Sequence, residues 1–207
     1  MLKMINKKVF LLLNGEPPLS LPDLSGYDVI CATDGAYHYL EKHQITPDFI
    51  SGDFDSSEQF PEHLTVIHTP NQDYSDFDKV LKILHDKNYI NIDVFGASGQ
   101  EQDHFLGNLH TAVQWHSKLE LKFFDNYGFY FLAKNQTVYK GCKGKHVSLV
   151  PFPKATGVVT RGLQYPLDNE TLHFGERIGT RNRALEDEIE ISFQTGNLFI
   201  FINSTTD

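Results

Sequence analysis

Carboxylates followed by small residues recur just after short apolar runs in this chain. Asp34-Gly35 follows residues 29–33, Gly52-Asp53-Phe54-Asp55-Ser56 follows 49–51, Asn71-Gln72-Asp73-Tyr74-Ser75-Asp76 follows 65–68, and Asp103-His104 lies beyond the run at 90–95. If those runs are strands of one open α/β sheet, the acids gather on one rim, because such sheets bind ligands beyond the carboxyl ends of their strands. A single Asp-Gly after a strand is an ordinary turn, and a single Asp before a helix is an ordinary cap. At least five acids on one rim repel and raise one another's pKa unless a cation is shared. A hard divalent ion fits: Mg²⁺ takes a few carboxylates, with water and substrate phosphate oxygens completing its shell. Asp53 and Asp55 stand two apart, so an extended backbone sends both to one face and Phe54 to the other.

Gly52, Gly96 and Gly99 allow backbone to approach a phosphate, and Lys79, one helical turn after Asp76, could reach one. The sequence contains neither GxxxxGK[ST] nor GxGxxG, which excludes a Walker-type kinase and a fingerprint dinucleotide fold.

The elements that must hold these residues follow from periodicity. Strands are expected at 9–13, 29–33, 49–51, 65–68, 90–95 and 121–124, alternating with helices, the pattern of a mostly parallel, Rossmann-like sheet. Ser75 caps the clearest helix, whose Phe77, Val80, Leu81 and Leu84 form one apolar stripe. A second helix follows Asp103, with Leu106, Leu109 and Val113 on one side. After Tyr127 the helical period vanishes and aromatic and β-branched runs separated by turn residues indicate an all-β sandwich. There, alternation over 188–194, a turn at Thr195-Gly196-Asn197 and a return strand at 198–202 read as a hairpin. Two domains are expected, 1–126 α/β and 127–207 β.

Composition sets limits. The 207 residues are 40% hydrophobic and 22% charged, proportions of a folded globular protein. A net charge of −9 opposes binding of nucleic acid or an anionic membrane through a broad basic face, and makes a polyanion such as ATP depend on a metal. The longest apolar runs are far short of the ~20 residues that span a bilayer. The amino-terminal segment reads as a first strand and not a signal peptide, so a cytoplasmic location is expected. Cys31 and Cys142 are far apart and fit reduced thiols, and none of the ten histidines falls in a zinc-type array.

Three segments, DGAYHYLEKHQITPDFISGDFDSS, TPNQDYSDFDKVL and GASGQEQDHFLGN, resemble in order and spacing the signatures of thiamin pyrophosphokinases. The carboxyl-terminal GLQYPLDNETLHFGERIGTRN and EISFQTGNLFIFI resemble that family's thiamin-side domain. The resemblance implies an ATP- and Mg²⁺-binding α/β domain, a β-sandwich that binds thiamin and dimerises, and a homodimer with thiamin at the subunit interface. It implies that Asp53, Asp55 and Asp76 hold Mg²⁺ and phosphates with Asp73 and Gln72 beside them. Asp34, Gly35, Ser75, Lys79, Asp103, His104 and Asn108 would line the cleft, Asn182 would face thiamin, and Asp73 or Asp103 would be the general base.

Three positions depart from the pattern: Ala36 for a second glycine, Glu101 for a basic residue, and Arg181-Asn182 for Ser-Asn. Since thiamin is cationic, Arg181 should turn to an acid such as Glu186 or Asp187, or to the ATP phosphates. The reaction implied is transfer of pyrophosphate from ATP to the thiamin hydroxyl. The alternatives are a pyrophosphokinase for another hydroxymethyl heterocycle such as a pterin, a DxD nucleotide-sugar transferase, and a non-catalytic nucleotide- or thiamin-binding protein.

Overall fold

The structure, a computed structural model, describes residues 7–54 and 60–206. Its chain contacts divide into two units, residues 1–126 and 127–207. In the first, β1 (Lys8–Leu12), β2 (Val29–Thr33), β3 (Phe49–Gly52), β4 (Val66–His68), β5 (Asn91–Phe95) and β6 (Glu120–Phe124) lie in the order β4-β3-β2-β1-β5-β6. All five pairings among them are parallel. Val9, Phe10, Leu11 and Leu12 are all buried, as a central parallel strand covered on both faces requires. Their run is continuous and not alternating for that reason.

Helices α1 (Tyr37–Lys42), α2 (Asp76–Asp86) and α3 (Gln102–Trp115) connect these strands. The Ser75 side chain caps α2 by accepting from the Asp78 amide at 3.2 Å, and Asp76 and Asp78 put negative charge on its first turn. Phe77, Val80, Leu81 and Leu84 are all buried, roughly 1.5–3 kcal/mol of burial each. The Trp115 indole donates to Asp78 at 2.7 Å and ties the end of α3 to the start of α2.

Only part of the apolar side of α3 is its buried face. Leu106 is 52% exposed, while Leu109 and Ala112 are buried and Phe105 and Asn108 half-buried, an i, i+3, i+4, i+7 stripe. Asn108 can occupy that stripe because its amide donates to the Ala97 carbonyl at 2.8 Å. A difference from the sequence expectation is at Phe54. Its φ of 53° is left-handed, so the backbone at Phe54 is not the extended one that the same-face argument assumes, and Asp55 lies outside the described residues. The ring does turn inward, packing edge-on to Phe60 at 5.2 Å.

The second unit is all β and antiparallel. The 17-residue β9 (Lys145–Arg161) is its spine. It pairs with β13 (Thr195–Thr206), which in turn pairs with β7 (Gly128–Leu132). It also pairs with β10 (Glu170–His173) and β11 (Gly179–Arg183), and its end joins β12 (Ile189–Ser192), which pairs with β8 (Gln136–Tyr139). Val147, Leu149, Val158, Ile189, Ile191, Leu198 and Ile200 form the core.

The expected hairpin at 188–202 is not formed. β12 pairs with β8 and β9, and β13 pairs with β7 and β9, so the two consecutive strands do not pair with each other. Gly196 lies inside β13 at a register shift, where a Cβ would fall on the Lys154 carbonyl. The glycine marks a bulge with close backbone approach, and not a turn.

Candidate functional site

The strand order of the first unit reverses between β1 and β5, and a cavity of about 550 Å³ opens at the carboxyl ends of the strands there. This is where an open α/β sheet leaves a crevice, because the chain departs in opposite directions from the two neighbouring strands. β1 delivers Leu13, Asn14 and Gly15 to the cavity, β2 delivers Thr33 and Asp34, and β3 delivers Asp53. Residues 72–77 and Lys79 form one wall, and Gly96, Ala97, Ser98 and the first turns of α3 form another. The β1 exit stays alongside β5 through amide-to-carbonyl bonds from Leu13 to Phe95, Gly15 to Gly96 and Glu16 to Ser98, at 2.8, 2.8 and 2.7 Å.

Each acid is held by a specific partner. The Asp34 carboxylate accepts the Gly35 amide at 2.8 Å and the Phe54 amide at 3.3 Å, which fixes the left-handed turn beside Asp53. Burial pushes Asp34 above the ordinary carboxylate range against those two hydrogen bonds, and the charges of Asp76 and Asp53 push it the same way. The Asp53 carboxylate accepts the Gln72 amide at 2.8 Å, and its backbone carbonyl is 3.0 Å from His68 Nε2. Asp76 lies 2.7 Å from the Lys79 ammonium, an ion pair whose angles do not make an aligned hydrogen bond at Oδ1. Asp73 opens the wall on an Asx turn, its amide donating to Asn71 at 2.7 Å. In α3, the Asp103 carboxylate accepts the His104 amide at 3.0 Å, and His104 Nε2 lies 3.6 Å from Glu101.

Of the residues singled out from sequence, Asp34, Asp53, Gln72, Asp73, Ser75, Asp76, Lys79, Asp103, His104 and Asn108 line this cavity. Asp55 lies outside the described residues. Gly35 is not on the lining; its backbone packs under the Asn14 side chain. Asn182 belongs to the second unit and is buried, its amide donating to the Tyr165 carbonyl at 2.7 Å and accepting from the amides of Tyr165 and Arg183. Those bonds commit it to holding a loop against β11. Arg181 is exposed with φ 53°, its amide donating to Ser148, and it forms no ion pair with Glu186 or Asp187 among the described residues.

Asn14, Tyr74, Ser98 and Gln100 also line the cavity, and the sequence reading gave none of them a role. Asn14 was within reach of the rule that found the acids, since it follows the first apolar run directly.

A parallel-sheet unit with an acid-lined cavity at its strand ends, followed by an antiparallel all-β unit, defines an α/β-plus-β protein whose polar chemistry is concentrated in its first unit. Residues 24–123 match the family model of the thiamin pyrophosphokinase catalytic domain, and residues 135–198 match that of the thiamin pyrophosphokinase vitamin B1 binding domain. The chain belongs to the thiamin pyrophosphokinase family. It is 28% identical to a thiamine pyrophosphokinase of Bacillus subtilis, over 92% of this chain and 96% of that one. It is also 28% identical to thiamin pyrophosphokinase 1 of Caenorhabditis elegans, over 90% and 86%. The crystal structure of the Bacillus subtilis enzyme shares the fold with a TM-score of 0.80 at 24% identity, covering 95% of this chain and 99% of that one. The match to the yeast structure has a TM-score of 0.80 at 17% identity, covering 96% and 86%.

Proposed function

We propose that this chain is a thiamin pyrophosphokinase that transfers the pyrophosphoryl group of ATP to the hydroxyl of thiamin, giving thiamin diphosphate and AMP. The observation that carries the reading is the acid-lined cavity on the unit that matches the family's catalytic domain. We read that unit as a Rossmann-like nucleotide half and the second as a β-sandwich for thiamin.

In the reaction the hydroxyl oxygen forms a bond to the β-phosphorus, the bond from that phosphorus to the α–β bridging oxygen breaks, and AMP departs with the electron pair. Such transfers depend on alignment and on neutralising phosphate charge. Asp53 and Asp76, with Asp55, would hold Mg²⁺. The donor set is carboxylate oxygen, as a hard divalent ion prefers, and burial, followed by the charges of Asp76 and Asp53, raises the pKa of the adjoining Asp34. Bound there, Mg²⁺ supplies charge neutralisation on the triphosphate. Asp73 or Asp103 would take the hydroxyl proton. Gln72 orients Asp53, and the Asp34 carboxylate fixes the turn that presents it.

Incubation with ATP, Mg²⁺ and thiamin should yield AMP and thiamin diphosphate in equal amounts, resolved by chromatography. ADP with thiamin monophosphate would refute the reading. AMP formed only with another hydroxymethyl heterocycle would change the acceptor and keep the chemistry. The same reading expects a homodimer, twice 23.6 kDa by light scattering, and a monomer at working concentrations would remove that part of it.

A further inference from the structure

The structure assigns Lys79 to positioning the acids of the cavity, and not to binding phosphate; the assignment rests on the function proposed above. Lys79 is the cation of the cavity wall that begins at Gln72, only 9% exposed, and its ammonium is engaged by protein. It donates to the Thr69 carbonyl at 2.9 Å and lies 2.7 Å from Asp76 Oδ1. Thr69 in turn donates its amide to the carbonyl of Gly52 at 2.7 Å, and Gly52 directly precedes Asp53. The lysine therefore closes a chain of contacts from the end of β3 through Thr69 to Asp76, so that Asp53 and Asp76 are held in one frame.

A surface lysine recruited to phosphate would keep a mobile stem and a hydrated head. This one is buried, and its charge is already balanced by Asp76 inside a wall that carries Asp73 and Asp76. Its bond to the Thr69 carbonyl and its ion pair with Asp76 leave at most one of the three ammonium N–H groups for a phosphate, and turning the head fully to one would break both contacts. The i, i+3 spacing on α2 brings Lys79 to Asp76, and the burial of the helix stripe on either side of it keeps it there.

Lys79→Met separates the two roles. As a positioning residue it should raise amide hydrogen exchange over residues 69–76 by about tenfold, since the strap that restrains them is cut. It should lower kcat by about tenfold or more while the calorimetric Kd for ATP with Mg²⁺ stays within about threefold. An ATP Kd weakened by about tenfold or more, with exchange over 69–76 unchanged, would make Lys79 a phosphate ligand and overturn the assignment. Unchanged exchange together with unchanged kcat would also overturn it. Should Lys79→Met fail to fold, Lys79→Leu, which likewise can donate to neither Thr69 nor Asp76, is judged by the same criteria. If the wild-type chain forms no AMP, the proposed function falls, while exchange and ATP binding still decide where Lys79 acts.

Discussion

Asp53→Asn is expected to lower kcat by on the order of 10²-fold or more, the scale of losing one transition-state electrostatic contact. The substitution is nearly isosteric, and its side-chain oxygen can still accept the Gln72 amide now donated to Asp53 at 2.8 Å. The His68 contact involves the Asp53 carbonyl and does not change. Only the charge is removed, so the circular dichroism spectrum and Tm should stay near those of the wild type while turnover collapses. If the lost charge belongs to the proposed cation site, added Mg²⁺ should restore only part of the rate. Near-normal kcat at saturating Mg²⁺ would return Asp53 to the status of a turn residue after β3.

How far the sequence could be read depended on whether a residue's partner was local. The stripe of α2 was legible because Phe77, Val80, Leu81 and Leu84 are all apolar and all buried, and its cap because Ser75 bonds three residues away. The buried stripe of α3 was only partly legible: Leu109 belongs to it and Leu106 does not, while Asn108 is polar and becomes an inner residue through a bond to Ala97 in the preceding loop. The left-handed turn at Phe54 depends on an acid 20 residues earlier, which no local pattern records. In the second unit alternation found β12, but pairing was set by β8 and by the far end of β9, so proximity in sequence gave the wrong neighbour. The acids of the cavity were found together because strand ends are readable from apolar runs. The direction of the Lys79 side chain was not, since one of its two partners is Thr69, on the far side of the 70–75 loop.

Gly52→Ala should be among the most damaging single changes in the first unit, although it adds one methyl group. Gly52 is the last residue of β3 and is buried. An added Cβ would fall on the Asp34 carboxyl group and lie 2.7 Å from Asp34 Cβ. Rotating the Asp34 side chain cannot relieve the contact with its own Cβ, so backbone at the ends of β2 and β3 must part. Those ends are paired in register, Thr33 with Ser51, and overpacking of this kind costs roughly 1–3 kcal/mol. Moving Asp34 also breaks its bonds to the Gly35 and Phe54 amides, which releases the turn that presents Asp53. Misplacement of a reacting group by about 1 Å can cost about 10²-fold in rate, so activity should fall further than stability. Gly26→Ala is the control: nothing lies within 4 Å of its Cβ position, and its stability should stay within about 0.5 kcal/mol of the wild type. Calorimetric Tm and kcat for both variants test this, and a Gly52→Ala protein that melts and turns over like Gly26→Ala would show that Asp34 is free to move and does not set the position of Asp53.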